Sequence, residues 1–452
     1  MVNEKKNVII AGAGLVGSLW ACYMAKRGHN VHVFERRADM RQEVMSAGRS
    51  INLAMSTRGW TALEKIGMKD ELMKIAIPMH GRMIHQTDGT TDFQAYGKKG
   101  QSIYSISRGD LNIALMNKAD ESEHTTFHFN HRTKKIKTDE RSLHFKNETT
   151  GAKSSIRADL IFGADGAFSV VRGQLQKTPM FNYSQQYLEH GYKELSIPPN
   201  ADGTHRLEKN ALHIWPRKSF MLIALPNLDG SFTVTLFLQF KGAVSFEYLN
   251  TDEEVSKFFK TYFPSALEHM PNLLREFKAN PSSSLVTVRC KPWHYKNVCL
   301  MGDSAHAIVP FYGQGMNAGF QDCFILDEII DRHKLDDWDA VFNEYTDIHA
   351  DNGAAIAELA LRNFIEMRDA TANDNFLLRK KLELYLMEIF PGKYLSQYQM
   401  VTFSNIAYKT ALHRGDMQTT YAESLIKEYP NPEDWRTSAF LEKVELWLNT
   451  QA

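Results

Sequence analysis

The residues with the clearest chemical use lie between Cys299 and Gly319, where a short apolar strand ends in Gly302-Asp303 and a glycine-containing loop follows. The apolar run Val298 to Met301 predicts the strand, and a new helix is predicted to begin near Met316. A carboxylate at a strand end can accept hydrogen bonds from a chain of hydroxyl groups, and the N–H groups of a helix N-terminus stabilise negative charge. The stretch therefore indicates a site for a reducible ring with a polyol tail.

A second chemical pattern stands at the start of the chain. The strand Asn7 to Ala11 leads into Gly12-Ala13-Gly14-Leu15-Val16-Gly17, then into a helix and a second strand that ends in Glu35. This is the βαβ pattern of a dinucleotide site. Gly12 would permit the tight turn, Gly14 would let the backbone approach a pyrophosphate, Gly17 would let helix and strand pack closely, and Glu35 would bind ribose hydroxyls. A structural glycine turn in an unrelated α/β fold is the alternative.

Basic residues follow this motif at Arg36, Arg37 and Arg41. Arginine is well suited to binding phosphate groups, so these side chains could face a dinucleotide. A solvated basic turn explains them equally well, and the sequence leaves both readings open.

A third motif, like the first, places an aspartate just after an apolar strand. The strand Ala158 to Gly163 is predicted to be buried and to lead into Asp165-Gly166, with Ser169 and Arg172 on the helix that follows. The carboxyl ends of parallel strands are where α/β sheets bind ligands. Asp165 is therefore predicted to lie at the same edge of the sheet as the other two motifs.

The remaining elements must position these residues. A hairpin carrying Arg82 and Tyr96 is predicted around Asp88-Gly89, because strand-like residues flank this turn. Residues 127–130, 134–138 and 143–147 predict a small antiparallel sheet. From residues 183 to 240 the pattern is β-rich, from 251 to 277 it is helical, and after Asp322 nearly all of it is helical.

Composition restricts the class of protein. The chain of 452 residues is long enough for two or three domains, and its 53 basic and 53 acidic residues give no reason to expect nucleic acid or anionic membrane as a partner. The N-terminus enters a strand directly and no run of eighteen apolar residues occurs, so we expect no targeting peptide and no membrane anchor. The cysteines lack metal-ligand spacing and are predicted to be buried, reduced thiols of a cytoplasmic enzyme without a metal: Cys22, Cys290, Cys299 and Cys323.

Taken together, GAGLVG with Glu35, FGADGAFSVVR and MGDSAHAIVPFYGQGMNAGFQD resemble the single-component FAD-dependent aromatic hydroxylases related to p-hydroxybenzoate hydroxylase. The resemblance covers roughly residues 7 to 330. It extends through GRSINLAMSTRG, HGRMIHQ, LHIWPR and FMLIALPN, where the chain is most similar to the members that act on L-kynurenine. The resemblance implies bound FAD, NADPH as a transient co-substrate, O2, hydroxylation through a flavin hydroperoxide, and a homodimer as a further expectation.

The resemblance also implies a fold. We expect an α/β protein with a Rossmann-like FAD-binding domain of the aromatic hydroxylase type, a β-sheet substrate domain and a C-terminal helical region. The expected division is residues 1–180 for FAD binding, with the hairpin 80–100 contributing to the substrate site, and 181–280 for the β-rich substrate domain. Residues 281–330 would return to the FAD-binding domain, and 331–452 would form the helical region.

Cofactor contacts carried over from the family fall on residues of the three motifs and of the segments between them. These are Gly12, Gly14, Val16, Gly17, Glu35, Arg36, Arg37, Ala54, Arg108, Asp165, Asp303, Pro310, Gly315, Met316 and Asn317. The Gly-Asp motif would hold the ribityl chain, and the Asp-Gly motif would lie near the pyrophosphate and serve NADPH. Only one GxGxxG unit is present, so no second nucleotide-binding domain is expected for NADPH.

Substrate contacts carried over in the same way begin with Arg82, whose planar guanidinium would pair with the amino-acid carboxylate. The polar partners would be Tyr96, Tyr398 and Asn363, although helical spacing alone leaves Asn363 equally consistent with a core asparagine. The apolar wall would comprise Phe311, Met221, Ile223, Phe237 and Met367. Tyr312 departs from the family pattern, because several relatives have histidine there.

No obligatory protein acid or base is predicted, since the substrate's own amino group enriches its ring with electrons. The sequence contains no evident Ser-His-Asp set, HExxH motif or close carboxylate pair; His306 and His85 could act as acids or bases, or could equally be packed against the cofactor. The alternatives are a hydroxylase of a benzoate or phenol, a flavin halogenase, which would carry a WxWxIP segment that is missing here, and a non-catalytic FAD-binding scaffold.

Overall fold

The structure is a computed structural model that describes residues 5–42, 52–97, 100–333, 337–369 and 374–450, without the side chains of 367–369 and 374–377. In these ranges the strands are β1 (Asn7–Ala11), β2 (Asn30–Phe34), β3 (Asn52–Met55), β4 (Ile77–Met79), β5 (Gly81–His85), β6 (Thr91–Ala95), β7 (Ile103–Ser107), β8 (Thr125–His128), β9 (His131–Lys137), β10 (Ser142–Asn147), β11 (Lys153–Arg157), β12 (Leu160–Gly163), β13 (Asn182–Ile197), β14 (Ala211–Arg217), β15 (Phe220–Pro226), β16 (Phe232–Gln239), β17 (Ser283–Lys291), β18 (His294–Tyr295) and β19 (Val298–Leu300).

The helices are α1 (Leu15–Lys26), α2 (Thr57–Lys65), α3 (Lys69–Met73), α4 (Arg108–Asp120), α5 (Val170–Leu175), α6 (Asp252–Tyr262), α7 (Pro264–Leu267), α8 (Leu273–Ala279), α9 (Asp303–His306), α10 (Gly315–Arg332), α11 (Trp338–Asp369), α12 (Asp374–Ile389), α13 (Gln397–Thr402), α14 (Tyr408–Glu428) and α15 (Ser438–Thr450). The predicted α/β class is confirmed. The predicted start of α10 and the largely helical C-terminal part are confirmed as well.

The first large sheet has the order β18-β19-β12-β1-β2-β8. All its neighbours are parallel except β18 and β19. Its central strands β1, β12 and β19 are short, almost fully buried apolar runs, as expected for a parallel sheet covered on both faces, whereas the edge strands β8 and β18 are partly exposed. The carboxyl ends of β1, β12 and β19 lead into the three predicted motifs, so the motifs meet at one edge of this sheet.

The second large sheet has the order β17-β13-β16-β15-β14-β5-β6. The hairpin β5–β6 is confirmed, and β5 joins this sheet through parallel pairing with β14. Helices α6 to α8 cover one face through an apolar core that includes Trp215, Phe259 and Phe263. The other face turns toward the loop that follows β19, because Met221 and Phe237 pack there with Phe311.

The helical C-terminal part has a core of its own, formed by α12, α14 and α15. Helix α11 is long enough to run from the first sheet, where Tyr345 is buried, to Phe364 beside the second sheet. All four cysteines are free and buried, which confirms their predicted burial as thiols. Among the helices in the described ranges, none combines the length and apolar character that crossing a bilayer requires.

The prediction of the small antiparallel sheet was wrong in two respects. The strand predicted at 127–130 is β8, which pairs with β2 in the parallel sheet, and the small antiparallel sheet has the order β11-β10-β9, with β11 not predicted. The reason is that alternation of side chains identifies a strand but says nothing about its partner. The strand β17 still pairs with β13 of the second sheet, so the chain returns to the first sheet only with β18.

Candidate functional site

In the glycine loop after β1, two glycines are packed tightly against protein backbone and the third, Gly14, faces open space. Gly12 has φ +103°, and a Cβ built there would lie 2.5 Å from the carbonyl oxygen of Ala164. A Cβ at Gly17 would lie 1.9 Å from the carbonyl oxygen of Gly12, whereas a Cβ at Gly14 would meet nothing within 4 Å. The loop thus combines tight packing with an open backbone surface at the N-terminus of α1, where a phosphate group can approach.

Glu35 folds back onto this loop. Its Oε2 accepts the Ala13 N–H at 3.0 Å, and its Oε1 accepts the Arg37 N–H at 2.9 Å. The carboxylate is nearly buried, and its Oε1 also accepts from Arg37 Nε at 3.1 Å, so only Oε2 keeps a lone pair that could accept a ribose hydroxyl. Arg41 is bound by Asp39 at 2.8 Å and also pairs with Asp120, so this arginine forms an internal ion pair, which is neither of the two readings that the sequence left open.

Val16 joins the first motif to the third. A Cβ at Gly302 would lie 2.9 Å from Val16 Cγ2, and a Cβ at Gly319 would lie 2.5 Å from the same atom. Gly302 also has φ +56°, a conformation that glycine tolerates best. Two glycines therefore let the Val16 side chain pack between β19 and α10, which brings Asp303 close to the glycine loop.

Asp165 joins the second motif to the third. Its Oδ1 accepts the Ser304 hydroxyl at 3.1 Å, and its Oδ2 accepts the Val170 N–H at 2.7 Å. Ser169 donates to it as well, and Ser304 Oγ in turn accepts the Gly166 N–H at 2.9 Å. Burial raises the pKa of Asp165. Protein donors occupy both carboxylate oxygens of Asp165. The carboxylate therefore holds the turn after β12 against the turn after β19, a structural role that the GADG pattern alone did not reveal.

Asp303 is exposed to solvent although the next three residues of α9 are buried. Surrounding protein atoms raise the pKa of its carboxyl, while Arg108 acts in the opposite direction. Asp303 is thus open to solvent on one side and surrounded by protein on the others. This is the environment of a carboxyl in the wall of a deep cleft. Arg108, like Arg36 and Pro310, has an exposed side chain.

Behind Asp303 lies a fully buried carboxylate, Asp322 of α10. Its Oδ2 accepts the Gly302 N–H at 2.6 Å and lies 2.7 Å from Nε2 of His306, and its Oδ1 lies 2.8 Å from Nε2 of His349. Burial would raise the pKa of Asp322, but the two histidines lower it well below the ordinary carboxyl range. Burial would lower the pKa of His306, but Asp322 raises it above its ordinary value.

This network assigns His306 to the support of the Gly302-Asp303 turn rather than to free acid–base chemistry. His85 is also engaged, because its Nε2 lies 2.8 Å from Nδ1 of His213 in the second sheet. Burial lowers the pKa of His85 to about 3, so this ring stays neutral at physiological pH.

We expect Asp322→Asn to lower the free energy of unfolding by about 3–5 kcal/mol, because it leaves two buried histidines without their charge partner. The loss should depend on pH. The depressed pKa of Asp322 adds stability above its ordinary value of 3.8 that is lost as pH falls, and the raised pKa of His306 adds stability below 6.5 that is lost as pH rises. Urea denaturation of both proteins in a series that runs from below pH 3.8 up to a pH well above 6.5 measures this difference.

The matched control for this network is Asp351→Asn. Asp351 is half-exposed and pairs with Lys291 at 3.4 Å and with Lys409 at 3.0 Å. Surface pairs contribute about 0–1 kcal/mol, so this variant should remain close to the wild type at every pH. Equal losses in the two variants would contradict a special role of Asp322.

Helix α10 begins at Gly315, and its first N–H groups have no acceptor within the helix. The Asn317 side chain is fully buried and bound within the protein: its Oδ1 accepts the Ser56 N–H at 2.9 Å, and its Nδ2 donates to the Ala54 and Gly313 carbonyls at 2.8 and 2.9 Å. The side chain of Asn317 is therefore fully used within the protein, and only its backbone N–H remains available to a ligand. The amide instead ties α10 to β3.

The predicted apolar wall comes together in one cluster. Phe311 stacks on Phe364 with ring centres 4.3 Å apart and lies 5.0 Å from Phe237, and Met221 and Ile223 pack into the same cluster. Phe364 was missed at the sequence level. It lies four residues after the buried Ala360, and this helical spacing could have revealed it.

Two further residues of the predicted substrate set lie on α11. Asn363 donates from Nδ2 to the Phe311 carbonyl at 2.7 Å, so it fixes the aromatic loop whether or not it also contacts a ligand. The Met367 side chain lies outside the described residues.

Arg82 lies beside a stack of three tyrosines. Its guanidinium carbon is 5.0 Å from the Tyr398 ring centre and 5.5 Å from that of Tyr96. Tyr96 and Tyr398 stack at 5.7 Å, and Tyr312 stacks on the other side of Tyr398 at 5.8 Å. The departure at Tyr312 therefore extends the aromatic stack.

This stack contains buried polar atoms that call for a partner. Arg82 Nε and Tyr96 Oη are buried, and neither makes a hydrogen bond of full geometry to a residue in the described ranges, although the Arg82 side chain interacts with the Tyr96 and Tyr398 hydroxyls. Burial raises the pKa of Tyr96 and of Tyr398, so both hydroxyls stay protonated. Buried groups of this kind are rarely left unsatisfied, and a cation beside neutral hydroxyls suits a carboxylate ligand.

The cofactor set and the substrate set meet at Ala54. Its carbonyl accepts from Asn317 of α10, and its side chain packs in the cluster of Tyr96, Tyr398 and Ile223. A Cβ at Gly313 would lie 3.4 Å from Ala54 Cβ. The helix N-terminus, the aromatic wall and the tyrosine stack are therefore neighbours and form one candidate site.

The sequence of the chain is similar to a known protein family and to several named proteins over most of its length. Residues 5–333 match the family described as FAD binding domain. The kynurenine 3-monooxygenase of Flavobacterium johnsoniae is 48% identical over 97% of each chain, that of Christiangramia forsetii is 47% identical over 98% of this chain and 99% of its own, and that of Sus scrofa is 42% identical over 92% and 88%.

Solved structures show the same fold at low identity. One is 2-methyl-3-hydroxypyridine-5-carboxylic acid oxygenase, with a TM-score of 0.67 at 17% identity over 83% of this chain and 96% of that chain. Another is the p-nitrophenol 4-monooxygenase of Pseudomonas putida, with a TM-score of 0.66 at 15% identity over 93% and 98%.

Proposed function

The chain belongs to the kynurenine 3-monooxygenase family of FAD-dependent aromatic hydroxylases, and we propose on that premise that it hydroxylates L-kynurenine at the ring carbon beside the amino group. L-kynurenine, O2, NADPH and a proton give 3-hydroxy-L-kynurenine, NADP+ and water. The redox chemistry, which joins hydride donation by NADPH to activation of O2, is what FAD supplies when bound. A benzoate or phenol hydroxylase, the alternative function, is not favoured by relatives at this level of identity.

The residues on the nucleotide side fit FAD. The open backbone at Gly14 is a cradle that a Cβ would fill, and Oε2 of Glu35 has one lone pair left for a ribose hydroxyl. Asp303 would accept from the ribityl hydroxyls in its cleft. The first N–H groups of α10, at Gly315 and Met316, would hold negative charge on the reduced ring. Arg36, Arg37 and Arg108 would supply positive charge at the cleft surface.

On the substrate side, Arg82 would bind the amino-acid carboxylate, with Tyr96 and Tyr398 donating hydrogen bonds. The single observation that carries this proposal is the burial of Arg82 Nε and Tyr96 Oη without a hydrogen bond of full geometry in the described part of the chain, and with no carboxylate paired to Arg82 there. Phe311 would face the substrate ring. The apolar wall, which includes Met221, Ile223 and Phe237, would exclude water during oxygen transfer.

No residue of the site is required as a strong base. His306 is committed to Asp322, and His85 to His213. The substrate's amino group itself activates the neighbouring ring carbon, so the protein's task is to hold, orient and shield. The Asp165-Gly166 turn is the proposed point of contact for NADPH.

Three broader expectations stay with this proposal. The domain division into 1–180, 181–280, 281–330 and 331–452 is one; the separate apolar cores of the two large sheets support it in outline, whereas the pairing of β17 with β13 argues for a boundary after residue 291 instead of at 281. A homodimer and a cytoplasmic location are the others.

We expect the purified protein to be yellow and L-kynurenine to accelerate its NADPH oxidation at least about tenfold, with 3-hydroxy-L-kynurenine as the product. Absorbance at 340 nm and chromatographic identification of the product measure the two quantities. Benzoate and phenol are the control substrates. NADPH oxidation without a hydroxylated product from L-kynurenine would refute the substrate assignment and leave the fold unaffected.

A further inference from the structure

Arg58 is a buried cation that the proposed reaction does not use. It is the second residue of α2, and only 1% of it is exposed. No carboxylate in the described ranges pairs with it, and burial lowers the pKa of its guanidinium. A buried charge without a counter-ion costs several kcal/mol unless hydrogen bonds compensate for the lost hydration. The compensating groups therefore indicate what this arginine holds in place.

Most of those groups are backbone carbonyls around α13. Arg58 Nε donates to the Val401 carbonyl at 2.9 Å, and Nη2 donates to the Met400 carbonyl at 3.2 Å and also to that of Ile406. A cation at the carbonyl end of a helix is favoured by the helix dipole. Arg58 thus fixes the C-terminal turn of the short helix that carries Tyr398.

The same guanidinium is tied to α10. Its Nη1 donates to Gln321 Oε1 at 3.0 Å, and its carbon lies 3.9 Å above the ring of Tyr408. The Tyr408 hydroxyl donates to Gln314 at 2.9 Å, and Gln314 is the N-cap residue of α10. Arg58 therefore stands between the helix proposed to face the flavin and the helix that carries a proposed substrate contact.

We infer that Arg58 is a positioning residue for the hydroxylation: it sets Tyr398 against Arg82 and fixes that pair relative to the N-terminus of α10. The inference rests on the proposed function and adds a residue that contacts neither ligand. Loosening α13 should weaken substrate binding and misplace the substrate ring, so that part of the NADPH is oxidised without product. FAD binding should be unaffected, since Arg58 lies outside the residues proposed to hold it.

The test is a double-mutant cycle with Arg58→Lys and Tyr398→Phe, using the intact FAD-loaded protein. Lysine keeps the charge but cannot reach several carbonyls at once. Arg58→Lys should raise KM for L-kynurenine about tenfold. It should also lower the product formed per NADPH oxidised, with FAD content unchanged. In the Tyr398→Phe background the same change should alter KM less than about twofold, because coupled residues are not additive.

Arg27→Lys is the matched control. Arg27 is a mostly buried arginine that also anchors α10, through Asp327 at 2.7 Å and Asp331 at 2.6 Å, but at the far end of the helix. It should lower the melting temperature and leave both KM and the ratio of product to NADPH unchanged. Its effects should be independent of Tyr398→Phe.

The inference is overturned if Arg58→Lys lowers only the melting temperature, if its effect on KM persists in the Tyr398→Phe background, or if FAD is lost. Should Arg58→Lys not fold, Tyr408→Phe takes its place in the cycle, since it removes the hydrogen bond to Gln314 and is subject to the same criteria. The wild-type arm separates the two claims. A wild type that forms no 3-hydroxy-L-kynurenine refutes the proposed function, whereas a productive wild type with an additive cycle refutes only the inference.

Discussion

Arg82→Met should weaken L-kynurenine binding by about 10²- to 10⁴-fold while the protein keeps its full FAD content. Removing one partner of a buried charge pair costs about 3–5 kcal/mol, because the other charge is left without compensation. Methionine keeps most of the stem that packs beside Tyr96 and Tyr398, so the effect isolates the guanidinium. Titration of the flavin absorbance with L-kynurenine measures the dissociation constant, and the ratio of absorbance at 450 and 280 nm measures FAD content.

Two further variants sharpen this prediction. Arg82→Lys keeps the charge and should still bind poorly, because an ammonium group cannot match the planar carboxylate with two hydrogen bonds. Arg275→Met removes an exposed arginine on α8 and should leave binding unchanged. Loss of FAD from Arg82→Met would show that Arg82 belongs to the cofactor site.

Gly17→Ala should abolish FAD binding by distorting the loop that is proposed to receive the pyrophosphate. The added Cβ would lie 1.9 Å from the Gly12 carbonyl oxygen, a contact that only a shift of α1 against β1 can relieve. Overpacking of this kind typically costs about 1–3 kcal/mol, and here the displaced atoms are backbone atoms of the loop itself. We expect a colourless protein with a lowered melting temperature, as measured by its absorbance spectrum and by circular dichroism.

Two other glycine-to-alanine variants test whether the loss of FAD comes from the position of the added methyl group or from any replacement of glycine. Gly14→Ala meets no protein atom within 4 Å, so it should fold almost normally and yet bind FAD at least about tenfold more weakly, because its Cβ fills the surface proposed for the pyrophosphate. Gly173→Ala lies in α5 with equally open surroundings and should add up to about 1 kcal/mol of stability. Normal FAD binding by Gly14→Ala would contradict the assignment of this loop.

The parts of the fold that were predictable depend on local patterns. The strand β1, the glycine loop and Glu35 lie within one short βαβ unit, so spacing alone carries their arrangement. The hairpin β5–β6 is likewise specified by its own turn. In contrast, β8 was assigned to the wrong sheet because its partner β2 is distant in sequence and parallel pairing leaves no local mark.

Side-chain roles were harder to predict than elements. Asn317 belongs to a motif that suggests ligand contact, yet its amide is consumed by Ser56, Ala54 and Gly313. The spacing of a motif shows that a residue is near a site but not which way its side chain points. For the same reason the roles of Ser304 and Arg58 were invisible in the sequence, since their partners lie more than a hundred residues away.

The tyrosine stack has a consequence for how the protein is made. Tyr96, Tyr312 and Tyr398 come from widely separated parts of the chain, whereas the glycine loop and the β2 carboxylate are complete within the first segment to leave the ribosome. Domains tend to fold as they are synthesised, and contacts between distant segments form late. The residues proposed to hold the cofactor, which end at Asn317, are therefore synthesised before α13, so the chain can complete its proposed flavin site before Tyr398 of α13 completes the proposed substrate site.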